Sequence, residues 1–139
     1  MGAVMDELTL YVESMIGEPF VWGENDCLTF AQEAVKIQTG GYICDEWFGG
    51  YDTKREAAQQ YNAMVDDCGF DNIIEAISSR FSQVLTLHPT HGMLVARPLV
   101  IGPLSCSFGV CVGRQLALMS LGGVVMVGPE VHDIYWDVR

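Results

Sequence analysis

A chain of 139 residues suits one domain with one core, and its composition, half hydrophobic and 18% charged, excludes an intrinsically disordered protein. The net charge of −11 makes a nucleic-acid partner unexpected, because phosphate backbones repel an acidic surface. Apolar runs fall short of the roughly 18 to 20 residues that a membrane span requires. We therefore predict a single domain over residues 1–139, with no nucleic-acid partner and no membrane span.

Helical patterns fill the first half of the chain. Residues 1–16 carry an apolar stripe at 3.6-residue spacing, and they contain acidic residues but no Lys or Arg. This pattern predicts a helix rather than a secretory signal peptide. A second helix is predicted over residues 27–38, because Asn25 or Asp26 can cap its start and glycines follow its end.

The remaining elements change from helical to extended patterns along the chain. Thr53 and Glu56 form a capping box for a helix over residues 54–68, and a short helix follows over residues 71–79. Five β-branched or apolar runs then alternate with Gly, Pro and Ser, at residues 81–87, 92–101, 108–112, 115–119 and 124–127. Residues 131–139 form a last turn or strand. This order predicts an α+β fold in which N-terminal helices pack on a C-terminal antiparallel sheet.

The five cysteines are odd in number and include no Cys-x-x-Cys pair, so we predict reduced thiols. His88 and His91 together with Cys106 and Cys111 raise the question of a zinc site. The spacing of these cysteines is wrong for a compact knuckle, and in one continuous strand they face opposite sides. We predict no metal site and no cofactor.

Cys27 lies where a reactive thiol is favoured, at the start of the second predicted helix. Unpaired N–H groups and the positive end of the helix dipole stabilise a thiolate there, and the same N–H groups can form an oxyanion hole. The negative charge of Asp26 acts in the opposite direction and raises the pKa of the thiol.

The segments Phe20-Val21-Trp22-Gly23 and Asp26-Cys27 resemble the NlpC-type, papain-like cysteine peptidases of bacterial cell walls and phage tails. That family has an aromatic-x-Trp-Gly-Gly loop and then Asp-Cys at the start of a helix. Residues 92–95 are similar to its Gly-Asp-Leu-Val strand, and residues 107–113 to its His-Val-Gly-Ile-Tyr-Leu-Gly strand. The whole layout looks closest to a compact variant typical of phage and prophage tail-gene clusters. The resemblance implies a papain-like fold with Cys27 at the nucleophile position.

The chain departs from that family at the polar positions. Ser107 stands where the resemblance places the catalytic histidine, and a hydroxyl cannot replace an imidazole near neutral pH. The residue that orients the histidine falls near Met119 or Ser120. Phe20 replaces a loop tyrosine, and Met93 replaces an aspartate. Together these changes imply a fold that was kept and a chemistry that was lost.

Histidines elsewhere in the chain leave one route to catalysis open. His91 precedes the Gly92 strand and is the speculative base for Cys27 if activity survives. His88 lies in the same loop and His132 in the tail, and we expect both to be solvated or structural.

Candidate binding residues lie around Cys27 and in the aromatic segment that follows the second helix. Trp22 and Asp26 flank the cysteine, and Trp47 and Phe48 belong to an irregular stretch. Two interpretations of Trp47 and Phe48 stay open: a loop folded onto the core, or an anchor for a protein partner.

We expect a structural component of a bacteriophage or prophage tail tip, built on a degenerate NlpC-like peptidase fold. Its partners would be other tail or hub proteins, and it would be made in the bacterial cytoplasm and assembled into the virion tail. One alternative is an active cell-wall endopeptidase or amidase that uses Cys27 on a peptidoglycan peptide. Another is an acidic adaptor or binding domain.

Overall fold

The computed structural model describes residues 6–21, 26–42, 73–98, 106–120 and 122–138, together with residues 53, 56, 59, 60 and 63. The helices with described bounds are α1 (Glu7–Met15), α2 (Cys27–Thr39) and α3 (Ile73–Ser78), and residues 56, 59, 60 and 63 are also helical. The strands are β1 (Ser82–Val84), β2 (Leu94–Pro98), β3 (Cys106–Val112), β4 (Gln115–Ser120), β5 (Gly123–Val127) and β6 (Ile134–Asp137). The predicted α+β class and its order of helices before strands are confirmed.

The strands form one antiparallel sheet with the order β1-β6-β2-β3-β4-β5. The tail that was predicted as a turn or strand is the strand β6. It inserts between β1 and β2, where Trp136 pairs with Leu94 and Tyr135 pairs with Val84. The last residues of the chain therefore sit inside the sheet rather than at its edge.

α1 and α2 begin at side-chain caps, of which the sequence predicts the one at α2. Asp6 caps α1 by accepting a hydrogen bond of 2.9 Å from the N–H of Thr9. The helix predicted over residues 1–16 is therefore shorter, because Asp6 has the extended conformation of an N-cap and α1 begins at Glu7, while residues 1–5 lie outside the described residues. The Thr53 hydroxyl accepts the N–H of Glu56 at 3.2 Å, which confirms that half of the capping box. Across the described ranges, no helix has the length and apolarity that crossing a bilayer demands.

Two strands are shorter than the sequence predicts. β1 ends at Val84 because Thr86 turns the chain, its hydroxyl accepting the N–H of His88 at 2.9 Å. β2 begins at Leu94 because Gly92 has a φ of 96°, which breaks the extended conformation. The residues that were predicted as strand but are not extended in this region lie in the connection between β1 and β2.

The sheet has two apolar faces. The first face packs against all three helices, and its buried side chains include Phe108, Trp136 and Leu94. The second face carries a smaller cluster, which consists of Val95, Cys111, Leu116, Leu118 and Tyr135. Each fully buried side chain of this size contributes about 1.5–3 kcal/mol to the free energy of unfolding, so both faces stabilise the sheet.

The helix α2 lies along β3 on the first face, with which it shares its most extensive contacts. Its C-terminal end is held at Gly92, whose carbonyl oxygen accepts a 2.9 Å bond from the side-chain amide of Gln38. Gly92 in turn donates its N–H to Cys111 near the end of β3. The N-terminus of α2 consequently faces the start of β3.

Gly109 lies where β3 approaches β4 too closely for a side chain. A Cβ built there collides with the carbonyl oxygen of Ala117 and lies 2.8 Å from a methyl carbon of Leu118. Backbone cannot move aside as a flexible side chain can, so we expect Gly109→Ala to lower the free energy of unfolding by about 3 kcal/mol. Urea denaturation measures the change.

Gly128→Ala is the matched control for that substitution. No atom lies within 4 Å of a Cβ built at Gly128. We expect the free energy of unfolding of this variant to lie within about 1 kcal/mol of the wild-type value. Equal stability of the two variants would show that the close approach at Gly109 relaxes without cost.

Candidate functional site

The start of α2 is the candidate site, and Asp26 shapes it. Its carboxylate accepts a 2.9 Å bond from the N–H of Thr29, and its carbonyl oxygen accepts the N–H of Phe30 at 3.0 Å. Asp26 is only 1% exposed and has the extended conformation of an N-cap residue. Of the two predicted caps, the structure selects Asp26.

Cys27 follows this cap and is part of the first-face core, with 6% of its surface exposed. Burial raises the pKa of its thiol from an ordinary value of 9.0 to about 12, and the charge of Asp26 adds to the rise. Backbone N–H groups of Phe108, Leu28 and Cys27 itself favour the thiolate, but they do not offset burial. The thiol is therefore protonated near neutral pH.

The hydrogen bond from Phe108 places the start of β3 beside the Cys27 sulfur. Side chains alternate along a strand, and Phe108 belongs to the first face whereas Cys111 belongs to the second. Ser107 therefore points to the second face, away from α2. Its hydroxyl donates a 2.8 Å bond to the carbonyl oxygen of Met119.

The other positions that the resemblance singles out are also filled by structural side chains. Met119 is buried in the first-face core. The Ser120 hydroxyl donates to the carbonyl oxygen of Gly123 at 2.8 Å, within the β4–β5 turn. Phe20 packs on the first-face core, and Met93 on the second-face cluster.

His91 lies at the opposite end of α2 from Cys27. Its Nδ1 accepts the N–H of Gly113 at 2.9 Å, and its Nε2 lies 2.6 Å from a carboxylate oxygen of Asp6. The tautomer that satisfies both partners carries its proton on Nε2 and leaves neither nitrogen free.

The separation follows from the length of α2. Gln38, which contacts Gly92, lies eleven residues after Cys27, or roughly 16 Å along the helix axis. A general base must lie within about 3 Å of the proton it takes, or one water away. His91 is therefore too far from Cys27 to serve as its base, and the prediction of that role is wrong.

The two remaining histidines do not replace it. His88 is exposed and lines the same end of the sheet as His91. His132 is exposed and precedes Asp133, which binds Arg97 on the second face of the sheet. Neither imidazole shares the environment of the buried Cys27 thiol.

Trp22, Trp47 and Phe48 lie outside the described residues, and their roles as binding residues stay predictions. Of the cysteines whose side chains the structure describes, Cys27 and Cys111 are free thiols. Among the described side chains, no group of three or more His, Cys, Asp or Glu is arranged to hold a metal ion.

One polar network had no signal in the sequence. Residues 128–133 connect β5 to β6 across the three strands between them, and Arg97 holds this crossover to β2. Its guanidinium makes two 2.9 Å bonds to the carboxylate of Asp133 and one of 2.8 Å to the carbonyl oxygen of Gly128. The partners are separated by 36 residues, and only the tertiary fold brings them together.

Fold and site together define an α+β domain with a capped, buried cysteine at a helix N-terminus. The chain belongs to the family described as Domain of unknown function (DUF6950), whose model matches residues 3–138. Searches of curated proteins and of solved structures each found no match.

Proposed function

We propose that the chain is a structural component of a bacteriophage or prophage tail tip, built on a degenerate NlpC-like cysteine peptidase fold. The observation that carries the proposal is the state of Cys27. The cysteine keeps the position of a nucleophile at the start of α2, but its thiol is buried and its pKa is raised to about 12. A cysteine nucleophile needs the thiolate and a neighbouring base.

The arrangement around Cys27 supports a lost active site rather than an unrelated cysteine. The helix that begins at Cys27 packs on β3, the strand that resembles the histidine strand of the NlpC-type family. Ser107, which the resemblance aligns with the histidine, points to the second face of the sheet and is bonded to the backbone of β4. The placement of Cys27 at a helix start against β3 thus supports the proposal, and Ser107, on the opposite face, offers no group to the thiol.

The tail setting is supported by the sequence resemblance. The Trp-Gly loop, the Asp-Cys pair and the strand at residues 107–113 resemble the NlpC-type family, and the whole layout resembles compact variants typical of phage and prophage tail-gene clusters. In such a particle the partners would be other tail or hub proteins. The net charge of −11 is compatible with basic partner surfaces, which is also the basis of the adaptor alternative.

Purified particles test the tail assignment. Tails and heads from the source phage or induced prophage would be separated on a gradient, and the chain quantified by mass spectrometry against known tail proteins. We expect a fixed ratio to the tail proteins and absence from the head fraction. Recovery of the chain only among free proteins of the lysate would overturn the assignment.

A further inference from the structure

A cleft of about 630 Å³ lies at the end of the sheet that is remote from Cys27. Three segments meet around it: the connection between β1 and β2, the β3–β4 turn at Gly113 and Arg114, and the start of the crossover at Pro129. His91 belongs to its wall, which places the cleft at the C-terminal end of α2. It shares no lining residue with the candidate site at Cys27.

The lining of this cleft carries one cationic side chain, Arg114, in a chain whose net charge is −11. His88, His91 and Arg114 all line it, although the acidic chain has only seven Lys and Arg residues and three histidines. None of its lining residues is Asp or Glu. Within the described part of the chain, Arg114 is exposed and pairs with no carboxylate.

Two carboxylates that adjoin lining residues of the cleft are already engaged, since Asp6 contacts His91 and Glu130, which follows Pro129, pairs with Arg97. Asp6 binds the Nε2 of His91 and also accepts the N–H and the hydroxyl of Thr9. These bonds hold its charge at the start of α1. Because Arg114 is exposed and forms no ion pair with a described carboxylate, its guanidinium is available to a ligand.

We propose that this cleft binds an oxyanion, a carboxylate or phosphate group, with Arg114 as the principal contact and His88 beside it. A guanidinium presents paired N–H donors that match two oxygens of such a group, and charge-assisted hydrogen bonds of this kind are the strong ones. Leu87, which is 62% exposed, and Pro129 add an apolar wall. The ligand is thus an anion that carries an apolar portion.

Nuclear magnetic resonance titration of the full chain tests this proposal, with inorganic phosphate and sodium acetate as probes at constant ionic strength. The reporters are the Gly113 amide, which is bonded to His91, and the ring protons of His88 and His91. We expect shifts that saturate. Arg114→Gln should weaken binding about tenfold, as the loss of one charge-assisted contact implies.

Arg80→Gln is the matched control, because Arg80 is an exposed arginine that follows α3 and does not line the cleft. It should bind the probe as the wild type does. His88→Gln gives a second variant in the cleft and should weaken binding less than Arg114→Gln. Shifts that rise linearly with concentration, or equal losses in the Arg80 and Arg114 variants, would overturn the proposal. Saturation by phosphate alone or by acetate alone would identify the source of the oxyanion.

Discussion

Replacing Asp133 with Ala is expected to lower the free energy of unfolding by about 3 kcal/mol, because it leaves the charge of Arg97 without its partner. The Asp133 side chain is 1% exposed and that of Arg97 is 15% exposed, so water cannot replace the lost bonds fully. Asp133 also accepts the N–H of Glu130 at 2.7 Å and the hydroxyl of Tyr135 at 3.3 Å. The substitution therefore releases the crossover from β2. Urea denaturation at pH 7 measures the loss.

The same residue gives stability a dependence on pH. Burial of Asp133 by itself raises its pKa, but the bonds from Arg97 and from the N–H of Glu130 outweigh it and lower the pKa below the usual 3.8. A depressed pKa contributes stability above the unfolded value, and that stability is lost as the pH falls through the folded value. We expect the wild type to lose more stability than Asp133→Ala between pH 7 and pH 3.

Glu130→Gln is the matched control for Asp133→Ala. Glu130 also pairs with Arg97, but at 3.7 Å and with a side chain that is 67% exposed. Exposed ion pairs contribute about 0–1 kcal/mol to stability, so the free energy of unfolding of this variant should be close to the wild-type value. If both variants lose the same stability, the buried pair does not hold the crossover.

Cys27 is expected to react with thiol reagents at least about tenfold more slowly than an ordinary thiol, since burial raises its pKa to about 12 and only the thiolate reacts. Burial in the first-face core slows access further. Timed alkylation at pH 7.5, followed by peptide mapping, gives the rate at this cysteine alone.

Two comparisons make the rate at Cys27 interpretable. The same chain unfolded in guanidinium should label Cys27 at the rate of a free thiol. Cys111 is also buried and has a pKa raised to about 11 by burial, so its native rate reports how far burial alone slows the reaction. Fast labelling of native Cys27, at or above the rate of an exposed thiol, would show that the thiolate forms in the folded chain.

Local chemistry in the sequence predicts much of this fold. Turn residues separate the β-branched runs, so the positions of β3, β4 and β5 agree closely with the structure. The helix α2 is predicted well because its start has Asp26 as a cap and its end has Gly40 in the left-handed conformation.

Long-range arrangement is what the local pattern does not contain. The insertion of β6 between β1 and β2 depends on packing across the whole domain, as does the pairing of Arg97 with Asp133. The position of His91 also depends on tertiary packing. The sequence places His91 next to Gly92, but it does not indicate which end of α2 packs against Gly92. The candidate site was therefore predictable at Cys27 and Asp26, but not at its supposed base.

The most direct test of a lost active site is hydrolysis of purified peptidoglycan stem peptides. Wild-type chain and Cys27→Ser would be incubated with the peptides under reducing conditions, and the products identified by mass spectrometry. We predict that neither protein releases cleaved peptide above a blank, because the buried thiol has neither a thiolate nor a neighbouring imidazole. Cleavage by the wild type that Cys27→Ser abolishes would contradict the account.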